Sequence, residues 1–71
     1  MKKHNLTERE IDIIRLYGRG YRTMDVAKEL NISRNTVNVH LQNIRNKLDI
    51  HNSTGLTWFA LKNGIIKIRR K

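Results

Sequence analysis

The sequence predicts an all-α fold, a compact four-helix domain that contains a helix-turn-helix. Three observations predict it: helix-starting residues precede four segments, apolar residues recur at helical spacing within them, and glycine or asparagine follows three of them. The helices are expected over about residues 8–17, 23–30, 34–48 and 53–63. The 71 residues suffice for one domain, expected over residues 1–66, followed by a basic C-terminal tail, 67–71.

The first helix is predicted to begin near Glu8. Thr7 and Glu10 have the spacing at which each side chain can accept a hydrogen bond from the backbone N–H of the other residue. Gly18 and Gly20 mark the end of this helix, because glycine tolerates the backbone conformations in which helices terminate.

The second and third helices lie close together in the sequence. Thr23 is predicted to cap the second helix, and Asn31 to take the left-handed conformation of a tight helix exit. Ser33 is predicted to cap the third helix. The apolar residues of this helix that are expected to face the core have spacings of four, three and four, and they are Val37, Leu41, Ile44 and Leu48. This arrangement is typical of a helix-turn-helix.

The fourth helix is predicted to begin after a cap at Asn52 or Ser53 and to stop at Asn63. It has more apolar surface than one core face requires. We therefore expect a partner to cover part of it, and the expected dimer interface consists of Leu56, Trp58, Leu61 and Ile65. The alternative is that Trp58 packs onto the first helix within one chain.

The charge of the chain indicates an anionic partner. The sequence contains fifteen Lys and Arg residues and six Asp and Glu residues, which gives a formal net charge of +9. Nucleic acid is the leading candidate, because binding to phosphates releases condensed counterions. A membrane surface is the alternative, but no apolar run approaches the roughly 20 residues of a spanning helix. We expect a cytoplasmic protein that does not enter membranes.

Once its apolar stripe faces inward, the third helix turns polar side chains outward. Asn and Gln can hydrogen-bond adenine, and an apolar side chain can contact the thymine methyl group. The expected base contacts in the major groove are Asn38, Val39, Gln42 and Arg34. The expected phosphate contacts are Asn35, Thr36, Arg45, Lys47, Lys28 and Arg22.

No arrangement of residues indicates catalysis. The three histidines lack further ligands at metal-binding intervals, and Ser33 and Ser53 are better explained as helix caps than as nucleophiles. His40 borders the inward stripe and is expected to be a packing residue. We expect a protein without enzymatic activity, cofactor or metal.

Two segments carry a spaced motif. The first is Leu6-Thr7-x-Arg9-Glu10-x-Asp12-Ile13-Ile14. The second is Val26-Ala27-x-x-Leu30-x-Ile32-Ser33-x-x-Thr36-Val37-x-x-His40-x-x-Asn43-Ile44-x-x-Lys47-Leu48-x-Ile50. With them the chain resembles the LuxR/FixJ-type, GerE-like helix-turn-helix regulators over residues 6–66.

The resemblance implies a four-helix unit whose third helix enters the major groove and whose fourth helix often mediates two-fold dimers. It implies DNA contacts for Thr36, Asn38, Val39, Gln42 and Lys47. The family commonly has Lys where Asn38 stands, which shifts the expected preference toward adenine. Because the first helix begins close to Met1, the chain looks like the stand-alone form of the family, or an excised fragment.

The leading hypothesis is therefore a sequence-specific regulator of transcription that binds double-stranded DNA as a homodimer. One alternative is a protein-interaction module whose fourth helix binds a regulator or an RNA polymerase subunit. Another is a non-specific nucleic-acid or membrane-surface binder that depends on charge alone.

Overall fold

The computed structural model describes residues 5–67, and they form four α-helices. These are α1 (Glu8–Gly18), α2 (Thr23–Leu30), α3 (Arg34–Leu48) and α4 (Ser53–Lys62). No strand occurs within residues 5–67. The all-α prediction is confirmed, and each helix boundary lies within one residue of its expected position. Most of the predicted basic tail, residues 68–71, lies outside the described range.

Helix α1 begins with the predicted reciprocal cap. The backbone N–H of Glu10 donates to the Thr7 hydroxyl at 3.1 Å, and the backbone N–H of Thr7 donates to the Glu10 carboxylate at 2.9 Å. Two of the backbone donors that a helix start leaves unpaired are thereby satisfied. Glu10 is only 3% exposed, so the cap also brings a carboxylate into the protein interior.

Helix α2 begins differently from the prediction, because Arg22 and not Thr23 occupies the capping position. The Asp25 carboxylate accepts a hydrogen bond from the backbone N–H of Arg22 at 3.2 Å. The Thr23 hydroxyl instead pairs with the Tyr17 hydroxyl. This side-chain bond to α1 competes with capping, so Thr23 becomes the first helical residue.

The turn between α2 and α3 forms as predicted. Asn31 has φ 57° and ψ 46°, the left-handed conformation, and the N–H of Ile32 donates to the Ala27 carbonyl at 3.0 Å. The Ser33 hydroxyl then accepts from the N–H of Thr36 at 3.0 Å and caps α3. At its other end α3 stops where Asp49 turns left-handed, with φ 58°.

Helix α4 is capped by Asn52, whose side-chain oxygen accepts from the N–H of Gly55 at 2.7 Å. The chain then folds back after α4, and the N–H of Ile65 donates to the Ala60 carbonyl at 2.8 Å. This return places Ile66 over Gly18, at the end of α1.

One apolar core holds the four helices together. Helix α3 packs against α1 and α2, and α4 packs against α1. The buried apolar side chains are Ile13, Ile14, Leu16, Val26, Ala27, Val37, Leu41, Ile44, Leu56 and Ala60. Within residues 5–67, α3 and α4 do not contact each other, and α1 packs against both of them.

Candidate nucleic-acid interface

The buried stripe of α3 fixes which of its side chains reach the surface. Val37 and Ile44 are fully buried and Leu41 is 7% exposed, while Leu48 is half-buried against the core. These side chains set the rotation of the helix about its own axis. The opposite face of α3 therefore points away from the protein.

Three of the four residues predicted to contact bases lie on that side of α3, and the fourth, Arg34, is the first residue of the helix. All four are exposed, and Val39 retains 54% of its accessible surface. They are Arg34, Asn38, Val39 and Gln42. Asn35, expected at a phosphate, is exposed beside them. The amide groups of Asn38 and Gln42 are therefore at the surface, where they can donate and accept hydrogen bonds simultaneously.

Two further amides on α3 were not selected from the sequence. Asn43 and Asn46 are also exposed. The signal that could have identified them is helical spacing, because neither residue falls on the stripe of Val37, Leu41 and Ile44. The exposed amide surface thus extends along most of α3.

Thr36 and Arg45 are less accessible than the other expected phosphate contacts. The Thr36 side chain is half-buried and its hydroxyl pairs with that of Ser33 at 2.8 Å. Arg45 is also half-buried, and its Nε is a buried nitrogen without a hydrogen-bond partner among residues 5–67. Both therefore flank the exposed face.

Lys47, another expected phosphate contact, has a partner inside the protein. Its ammonium donates to the Glu10 carboxylate at 2.8 Å and to the Asn5 carbonyl at 3.2 Å. The Lys47 side chain is 34% exposed, whereas that of Glu10 is 4% exposed. A lysine ammonium has three donors, so one remains for a ligand. The sequence pattern did not reveal this pair, because it joins residues 37 positions apart.

The ion pair controls the ionisation of Glu10. Burial alone raises the pKa of this carboxyl, since it disfavours the charged form. The hydrogen bonds from Lys47 and the Thr7 backbone, with the positive charges of Lys47 and His40, outweigh burial and lower the pKa below its ordinary value of 4.5. His40 is half-buried on α3, which agrees with its expected packing role.

The remaining expected phosphate contacts lie around α2. Arg22 and Lys28 are both exposed. Met24, in the first turn of α2, is 58% exposed and had not been singled out in the sequence. Cations at both ends of α2 thus lie on the same helix-turn-helix as the exposed face of α3.

Helix α4 exposes a smaller apolar surface than expected. Leu56 is 1% exposed and belongs to the core, so its assignment to a dimer interface is wrong. Ile65 is half-buried against the core. Trp58, by contrast, is 66% exposed, which excludes the alternative that it packs onto α1. Leu61 is half-buried.

Neither a metal site nor a membrane-spanning helix occurs within residues 5–67. Within residues 5–67, no three His, Asp or Glu side chains come close enough together to hold a metal ion. No helix in this part of the chain has the length and apolar character needed to cross a membrane.

Comparison with known proteins identifies relatives of the domain. Residues 4–60 match the family described as bacterial regulatory proteins, luxR family. The chain is 35% identical to the transcriptional regulatory protein DegU of Brevibacillus brevis over 66 residues, which are 93% of this chain and 28% of DegU. It is 38% identical to the uncharacterized response regulatory protein YgeK of Escherichia coli over 65 residues, 92% of this chain and 44% of YgeK.

A third relative is the response regulator protein VraR of Staphylococcus aureus. It is 34% identical over 62 residues, which are 87% of this chain and 30% of VraR. The chain spans less than half the length of all three proteins. The family match and the four-helix fold lead to one conclusion: the chain belongs to the luxR family of bacterial regulatory proteins and is a DNA-binding domain of the helix-turn-helix class.

Proposed function

We propose that the chain regulates transcription by binding specific sequences in double-stranded DNA, with α3 in the major groove. The observation that carries this proposal is the outer face of α3, where Asn38, Val39 and Gln42 are exposed while Val37 and Ile44 are fully buried. A major groove about 12 Å wide admits an α-helix. The proposed site of action is the cytoplasm, where bacterial DNA lies.

The exposed side chains favour sites that contain A·T pairs. Asn38 and Gln42 can each form two hydrogen bonds with adenine, and Val39 can contact the thymine methyl group. Arg34, at the start of α3, can pair with the two acceptors of guanine. These four residues are the proposed base contacts.

The proposed phosphate contacts surround this face. Arg22, Lys28 and Asn35 are exposed and would fix the position of α3 relative to the backbone without reading bases. Thr36 and Arg45 would act from the flanks. Lys47 would contribute only the third N–H of its ammonium group, because Glu10 and Asn5 accept hydrogen bonds from the other two.

We further propose that two copies bind adjacent half-sites. Helix-turn-helix dimers place their recognition helices about 34 Å apart, one turn of DNA. The proposed contacts between copies are Trp58 and Leu61 on α4. They replace the four-residue interface expected from the sequence, because Leu56 is buried and Ile65 packs against the core. The pairing is proposed to form on DNA.

The test begins with a duplex selected from random sequences at physiological salt. Gln42→Ala should lower affinity for that duplex by about 1–3 kcal/mol and lose discrimination at one base pair of each half-site. Lys28→Ala should weaken all duplexes alike and reduce the magnitude of the salt slope by about one. Thr54→Ala, at an exposed position of α4 outside the proposed contacts, is the matched control and should leave affinity and base discrimination unchanged.

Equal losses for Gln42→Ala on every duplex would contradict direct base contact. They would favour the charge-only alternative, in which the net charge of +9 supplies all of the affinity.

A further inference from the structure

The surface of α4 and the segment after it carries a second feature, separate from α3, which α4 does not contact within residues 5–67. Trp58 is the most exposed large apolar side chain among residues 5–67, with 66% of its surface accessible. Together with Leu61 and Ile66 it lines a shallow depression whose other walls are Lys62, Gly64 and Lys67. We call the three apolar residues Trp58, Leu61 and Ile66 the Trp58 patch.

Positive charge surrounds the Trp58 patch. Lys62 and Lys67 stand at its edge, and Arg19 lines the neighbouring depression that shares Ile66 and Lys67. Among residues 5–67, no carboxylate lines either depression. In the sequence, residues 50–71 contain five Lys and Arg and no Asp or Glu. An occupant of the patch must therefore bring negative charge to its rim.

A second copy of the chain does not meet that requirement in the absence of DNA, where no common duplex holds two copies together and offsets the repulsion between them. Two patches facing each other would bring lysines against lysines with no carboxylate between them, and like charges in an interface are unfavourable. The patch is also small. One tryptophan contributes about 150–250 Å² when fully buried, whereas a stable interface buries about 800 Å² on each partner.

A single amphipathic helix fits a small apolar depression better. Such helices dock through apolar side chains spaced i, i+3, i+4 and i+7. Carboxylates flanking that stripe would lie near Lys62 and Lys67, where charge complementarity favours encounter and fixes orientation. We propose that the Trp58 patch binds an acidic amphipathic helix of another protein in the absence of DNA.

The proposed partner does not need the DNA-reading surface. Helix α4 packs against α1, and the exposed amides of Asn38 and Gln42 lie on α3. The partner would instead occupy the surface that we propose joins two copies on DNA. Binding of the partner and pairing of the domains would then exclude each other, which would give the partner control over DNA occupancy.

The test uses a synthetic helical peptide of about 18 residues, long enough for substantial helix. It carries leucines at i, i+3, i+4 and i+7 flanked by glutamates. A scrambled peptide of the same composition and a peptide with lysine in place of glutamate are the controls. Trp58 is the only tryptophan, so its emission reports burial directly. Anisotropy of labelled peptide gives affinities for variants that lack this residue.

The peptide with the leucine stripe and flanking glutamates, the striped peptide, should shift Trp58 emission to shorter wavelength. It should bind about tenfold more tightly than the scrambled peptide. Trp58→Ala should weaken binding about tenfold, and so should Lys62→Glu combined with Lys67→Glu. Gln42→Ala is the matched control on α3 and should bind the peptide like the original protein. The lysine peptide should not bind.

Three results would overturn the proposal. Equal binding of striped and scrambled peptides would mean attraction by net charge alone. Unchanged peptide affinity in Trp58→Ala, with helicity and melting temperature preserved, would place binding elsewhere. A DNA-free dimer in sedimentation that Trp58→Ala dissociates would identify a second copy as the occupant. DNA affinity measured on the same variants shows separately whether the proposed DNA-binding function holds.

Discussion

Replacement of Lys47 by alanine should destabilise the domain before any DNA is added. The ammonium lies 2.8 Å from a Glu10 carboxylate oxygen and 3.2 Å from the Asn5 carbonyl. Lys47→Ala removes both hydrogen bonds and leaves the negative charge of Glu10, only 3% exposed, without this partner. The Thr7 backbone N–H still donates to Glu10, so part of the environment of the carboxylate remains.

The magnitude follows from the unequal burial of the two partners. Breaking a fully buried ion pair by removing one partner costs about 3–5 kcal/mol, whereas an exposed pair is worth about 0–1 kcal/mol. The Glu10 side chain is 4% exposed and the Lys47 side chain 34%, so we expect an intermediate loss of about 2 kcal/mol. With a urea slope of about 1 kcal/mol/M, the unfolding midpoint should fall by about 2 M.

The pH dependence gives the prediction a second signature. In the original protein the pKa of Glu10 is lowered, so its contribution is complete above the unfolded value near 4.5 and is lost as the pH falls through the folded value. In Lys47→Ala, burial should raise the pKa of Glu10. Acidification from neutral pH should then protonate Glu10 and relieve the buried charge. The stability difference should therefore shrink as the pH falls.

Urea unfolding followed by circular dichroism at pH 7 and near pH 4.5 measures both effects. Lys28→Ala removes an exposed lysine and should change stability by less than about 0.5 kcal/mol. Adding Glu10→Gln to Lys47→Ala should recover part of the loss, because a neutral amide tolerates burial better than a carboxylate. If Lys47→Ala had the same midpoint as the original protein at pH 7, or the same pH dependence, Glu10 would not rely on Lys47.

Three further substitutions test the local structure through urea midpoints. Asn52→Ala removes the cap of α4 and should cost about 1 kcal/mol; no loss would mean that α4 starts without it. Gly55→Ala places a methyl carbon 2.7 Å from the Ile50 Cγ2 atom, and overpacking should exceed the gain in helix propensity by about 1 kcal/mol. A more stable protein would contradict that clash. A Cβ atom added at Gly20 meets no atom within 4 Å, but the residue has φ +97°. Gly20→Ala should therefore lower stability by about 1–2 kcal/mol through backbone strain alone. An unchanged midpoint would show that the backbone relaxes at this position.

The helices and the rotation of α3 could be predicted because both depend on local information. Capping side chains act within three residues, and the spacing of Val37, Leu41 and Ile44 defines a face without knowledge of the neighbouring helices. Asn31 was predicted to turn left-handed on the same local grounds, and its φ of 57° confirms it. The exposed face of α3 followed from these facts alone.

The sequence did not reveal features that depend on contacts between distant residues. Thr23 has the chemistry of a cap, but the Tyr17 hydroxyl on α1 takes its side chain. Lys47 matched a family position that the resemblance associates with DNA, and its pairing with Glu10 joins two helices. Leu56 and Trp58 belong to the same amphipathic helix, and only its packing on α1 shows that Leu56 is buried while Trp58 is exposed.

The most direct test of base recognition by α3 is the selection of bound duplexes from one random pool at physiological salt. The selection is performed in parallel with the original protein and with Asn38→Ala. The exposed amide of Asn38 should make the original protein enrich a two-fold symmetric motif containing A·T pairs, and the variant should lose preference at one position of each half-site. An unenriched pool, or the same motif from both proteins, would contradict base recognition by α3.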